Sequence, residues 1–79
     1  MGTVSMTPPK SAGQLLDLYY LDLRCHLLEV AAGLDRVQRA EGGEAAMADP
    51  RFVRLRAALG LLSSGNPDRA ERFLNLFSE

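Results

Sequence analysis

Gln14 to Ala40 reads QLLDLYYLDLRCHLLEVAAGLDRVQRA and carries two apolar stripes at helical spacing. The first stripe is Leu16, Tyr20, Leu23, Leu27, Val30, Leu34 and Val37, spaced 4-3-4-3-4-3. The second is Leu18, Leu21, Cys25, Leu28 and Ala32, spaced 3-4-3-4. At about 100° per residue, the stripe centres stand roughly 170° apart on a helical wheel. A surface helix needs one apolar stripe, and a helix apolar on both sides is buried on both sides. No segment shows strand-like alternation. The expected fold class is therefore all-α, built on one long helix.

Local signals set where this helix starts and stops. Ser11 and Gln14 have capping-box spacing, in which each side chain serves the other residue's backbone N–H. Gly42-Gly43 ends the helix, because Gly takes the left-handed conformation of a C-terminal cap without penalty. Gly33 is an interior weak point, costing about 1 kcal/mol relative to Ala, and is read as a point of close helix approach. Residues 42–48 are expected to be a flexible connection. Asp49-Pro50 opens a second helix, with Asp as N-cap and Pro at the first helical position. Its buried stripe is Phe52, Leu55, Leu59 and Leu62, widened by Val53 and Ala58. Asn66-Pro67 repeats the same start signal for a third helix, with Ala70, Phe73, Leu74 and Phe77 on one face.

These signals predict a segment 1–10 without fixed structure and a single helical domain over 11–79. The helices span approximately 12–41, 50–63 and 67–77. The architecture is one long helix plus a short helical hairpin, a three-helix bundle. The hairpin also resembles part of a tetratricopeptide repeat, through turn glycine Gly65 and the second-helix positions Ala70 and Leu74. Arg54 stands where that repeat carries an aromatic, and one copy is present where arrays need several. The resemblance implies an αα-hairpin and carries no peptide-binding role over.

Seventy-nine residues make one domain at most, of a size that oligomerisation, metals or disulfides commonly support. With Cys25 as the one cysteine, no intramolecular disulfide can form, and in an apolar stripe it reads as a small buried hydrophobe. The hairpin offers apolar surface for one side of the long helix. Assigning it to the bulkier first stripe leaves Leu18, Leu21, Cys25, Leu28 and Ala32 to face a second copy in a twofold homodimer. The reverse assignment, with the first stripe facing the partner, follows the same arithmetic, and a hairpin wrapped around both sides would give a monomer. The long helix, about 40 Å at 1.5 Å per residue, outreaches two shorter ones and favours the homodimeric bundle.

A formal net charge of −1 draws neither nucleic acid nor membrane through a global field. No apolar run approaches spanning length, and residues 1–10 lack the basic and apolar regions of a secretory signal. Together with the lone, reduced cysteine, this leads to an expected cytoplasmic location.

Asp22, His26 and Glu29 are the one cluster with chemical content. Their i, i+4, i+7 spacing puts them on one strip between the stripes, where imidazole and carboxylates can share a metal. One His and two acids are too few to close a site, so the expected reading is a polar strip with no metal and no cofactor. Cys25 neighbours that His, but successive helical residues point about 100° apart. No nucleophile–base pair or phosphate loop is present, so no catalytic residue and no enzyme activity is expected. Arg51 and Arg54, with Arg69 and Arg72, form i, i+3 pairs on a hairpin joined as in a helix-turn-helix. Asp68 and Glu71 on the same outer face would repel phosphate. The expected function is a non-enzymatic helical interaction module that self-associates through its first helix, serving as an accessory or regulatory subunit of a larger protein. Two alternatives are a small nucleic-acid-binding regulator using the Arg-bearing hairpin and a metal-sensing dimer using Asp22, His26 and Glu29.

Overall fold

The computed structural model describes residues 10–78, so nearly all of the predicted unstructured segment 1–10 lies outside the described residues. Those described are helical, with no strand among them, in four helices: α1 (Ala12–Arg39), α2 (Gly43–Met47), α3 (Pro50–Leu62) and α4 (Arg69–Leu76). They fall into two compact units, one ending at Gly33 and the other running from Leu34.

The first unit is the N-terminal part of α1. Its start is the expected capping box: the Ser11 N–H donates to Gln14 Oε1 at 2.8 Å, and the Gln14 N–H donates to Ser11 Oγ at 3.2 Å. Two orphan donors of the first turn are thereby satisfied. Apart from its own helix backbone and chain neighbours, no atom lies within 4 Å of where a Cβ on Gly33 would stand, so the close approach read from the sequence is not made among the described residues.

The second unit opens with the end of α1. The helix stops at Arg39, and Gly42 takes the left-handed conformation at φ 82°. The connection that follows is not a flexible loop. Residues 43–47, Gly-Glu-Ala-Ala-Met, form α2, held by Ala46 N–H donating to the Gly42 carbonyl at 3.0 Å. Gly43 is buried, and a Cβ there would stand 2.1 Å from the Gln38 carbonyl oxygen. The two glycines thus do different work: Gly42 supplies the backbone angle, and Gly43 lets α2 fold back against the end of α1.

Asp49 caps α3 as the sequence predicts. Its Oδ1 accepts from the Arg51 N–H at 2.8 Å, with Pro50 at the first helical position. Arg51 also closes a two-pronged pair on the same carboxylate, with Nε and Nη2 each at 3.0 Å. This side-chain pairing and the backbone N–H hold the Asp49 carboxyl down at a pKa of about 2.

The start of α4 differs from the Asn66-Pro67 reading. The helix begins at Arg69, with Asp68 in the cap position and no side-chain cap bond. The Asp68 carboxylate instead accepts from Arg72 Nε at 2.9 Å. Arg69 turns its guanidinium back onto the Ser64 carbonyl, with Nε at 3.0 Å, and the Asn66 N–H donates to Ser64 Oγ at 3.4 Å. Contacts made by Ser64 and Arg69 therefore hold this turn, and Asn66 does not cap the helix.

α3 packs on α4 and on α2. The core is small: Phe52 and Ala58 are the buried hydrophobic residues among those described. Arg56 lies over the Phe52 ring at 5.3 Å and donates to the Met47 carbonyl at 2.9 Å, tying α3 to α2. The Phe73 and Phe77 rings stand 4.8 Å apart along α4.

Two stability tests follow. Gly43→Ala forces the α1–α2 turn apart and should cost about 1–3 kcal/mol or more, whereas Gly33→Ala, opening into free space, should not destabilise; thermal melts of the two variants compare them directly. The Asp49 carboxyl is more acidic folded than its ordinary value of 3.8. Its stabilising contribution is therefore complete above that value and lost as pH falls towards about 2. Asp49→Asn keeps the cap acceptor but cannot titrate, so its melting temperature should lack this part of the acid dependence.

Candidate interaction surface

α1 buries none of its residues. In the first stripe, Leu16, Tyr20, Leu23, Leu27, Val30 and Val37 are between 40% and 61% exposed, and Leu34 is half-buried. In the second stripe Leu18, Leu21 and Leu28 are between 57% and 66% exposed, Cys25 is exposed and Ala32 is half-buried. The residues predicted to meet a partner are thus all on α1, and the bulky ones are open in the single chain. The bulky residues of the first stripe are open in the same way.

Within the second unit the last residue of the first stripe enters a groove. Val37, Ala46, Asp49, Arg51, Phe52 and Leu55 line a hollow of about 350 Å³. Its walls are apolar apart from the Asp49–Arg51 pair. No sequence period could have found it, because the lining comes from α1, α2, α3 and the turn before α3. The Gly42-Gly43 turn and the Asp49 cap together bring those elements into place.

The Arg side chains named as nucleic-acid candidates have local work. Arg51 pairs with Asp49, Arg72 pairs with Asp68, and Arg69 holds the Ser64 carbonyl. Arg54, on α3, is half-buried and also takes part in an interaction within the chain. Each guanidinium keeps N–H donors beyond those used here, but at Arg51 and Arg72 the paired carboxylate offsets the positive charge that would draw phosphate.

Asp22, His26 and Glu29 are exposed on α1. Among the described residues, no group of three His, Cys, Asp or Glu side chains is placed to hold a metal ion. No helix among them is long and apolar enough to cross a membrane. No family model, curated protein or solved structure matches this chain.

Three ligands on one helix would leave a transition metal open to water on its far side. Protein purified without an affinity tag should therefore contain no stoichiometric metal, and added zinc should leave its melting temperature unchanged, since a ligand binding only the folded state would raise it. Near-stoichiometric metal that disappears in His26→Ala would make a shared site the leading account.

Proposed function

We propose that this chain is a non-enzymatic helical interaction module that self-associates through α1. The observation that carries the reading is the open apolar surface on two sides of a helix of 28 residues, beside a core of Phe52 and Ala58. Burying a half-exposed Leu contributes about 1 kcal/mol. One stripe paired with its own copy collects roughly a dozen such contributions, which reaches the range of the roughly 4–15 kcal/mol association cost. A second copy carries the same surface at the same length, so it matches α1 without further assumption. A role as accessory or regulatory subunit of a larger protein is consistent with the stripe left over after one pairing. On this reading the protein works inside the cell and uses no cofactor.

The test is mass in solution. Sedimentation at micromolar concentration should give a dimer or larger species. Charges placed in the interacting stripe, either Leu23→Asp with Leu27→Asp or Leu21→Asp with Leu28→Asp, should give monomers or unfolded chains, because each puts a charge into an apolar contact. A wild-type monomer would sink the reading.

A further inference from the structure

Self-association through α1 leaves open which stripe is used and in which direction, and the groove in the second unit bears on both. We infer that two copies pair antiparallel along the first stripe, so that Tyr20 of each copy seats in the groove of the other. This inference rests on the self-association reading.

Area is the first argument. A Leu side chain offers roughly 130 Å² of apolar surface. With about half of that exposed, seven stripe residues offer about 450 Å² per copy and about 900 Å² per pair. Specific, stable interfaces bury roughly 1,200–2,000 Å² of total surface, of which a little over half is apolar. The apolar area of the seam is thus already of the size such an interface holds, and surface continuous with the first stripe adds to it. The first stripe has such surface: Val37, its last residue, is also a wall of the groove, where Leu55 is 42% exposed. The second stripe ends at Ala32 and contributes no residue to the lining of this groove.

Size sets the direction. The first stripe is bulky early, with Leu16, Tyr20, Leu23 and Leu27, and slimmer late, with Val30, Leu34 and Val37. A parallel pair sets bulk against bulk and leaves both grooves at the slim end unfilled. An antiparallel pair sets the bulky half of each copy against the slim half and groove of the other. The register that fills the groove places Tyr20 opposite Val37, Leu23 opposite Leu34 and Leu27 opposite Val30. Helical side chains lean towards their own N-terminus. In this arrangement Tyr20 therefore leans past the partner's Val37 into the groove, and Leu16 follows one turn further on. A buried Tyr hydroxyl needs a polar partner, and the Asp49–Arg51 pair supplies one at the groove wall.

Cysteine cross-linking in a Cys25→Ser background tests orientation and register. Val37 lies 17 residues after Tyr20, about 26 Å along one helix, whereas a disulfide needs Cα atoms within about 7 Å. A Tyr20→Cys/Val37→Cys chain can therefore cross-link only to another copy. Under mild oxidation it should form a covalent dimer, while Tyr20→Cys alone and Val37→Cys alone stay single chains on a non-reducing gel. Leu23→Cys/Leu34→Cys repeats the test without altering Tyr20. If Tyr20→Cys alone cross-links as readily as the double variant, the pairing is parallel and the inference falls. If neither double variant cross-links while wild type sediments as a dimer, another face is used, the second stripe included, and the inference falls while self-association stands. A monomeric wild type overturns both.

Discussion

A helix with apolar residues on opposite sides needs something on each side, and α1 is such a helix. It is 28 residues long in a chain of 79, and it buries none of them. The apolar burial achieved within the described residues centres on Phe52 and Ala58 in α3. Small domains lie near the limit at which burial offsets the entropy of ordering the chain. Every other feature of this protein has to be weighed against that imbalance, because no disulfide is available to offset it.

The remaining devices act on where helices begin and end. The Ser11–Gln14 box, the Asp49 cap with its Arg51 clamp, and the Gly42-Gly43 turn each satisfy a few backbone groups. Such devices contribute modestly and locally. The Asp49 cap and the Gly42-Gly43 turn define the second unit, and in doing so they shape its groove, since Asp49 and Arg51 belong both to the cap and to the lining. Local structure here creates surface for burial, and on the proposed reading a second copy completes it.

What was legible in the sequence follows the range of the interactions. The capping box and the Asp49-Pro50 start were readable because they join residues two or three positions apart. The stripes of α1 were readable because one helical period fixes them. The five-residue α2 was missed because it is too short to show a period, although Glu44, Ala45, Ala46 and Met47 are all good helix formers. Asn66-Pro67 looked like Asp49-Pro50, yet Asp68 took the cap position and Arg69 took the Ser64 carbonyl. A dipeptide rule does not include that competition. The groove was out of reach altogether, because Val37, Ala46 and Phe52 meet only once the turn through Gly43 has formed.

The arginines show how the same residues can suggest one chemistry and serve another. Arg51, Arg69 and Arg72 are spaced as a basic face would be, and each is engaged within its own turn or helix start. These pairs are largely exposed, so they add little to overall stability. Their value is geometric: Arg51 holds the carboxylate that starts α3, and Arg69 closes the α3–α4 turn. Positive charge is thus spent fixing the edges of the second unit, while the uncommitted apolar surface runs along α1. Recognition that relies on such a surface is non-directional and scales with area. It therefore gains specificity from length, register and the shape at its ends, and the groove beside Val37 is a shaped end of this kind.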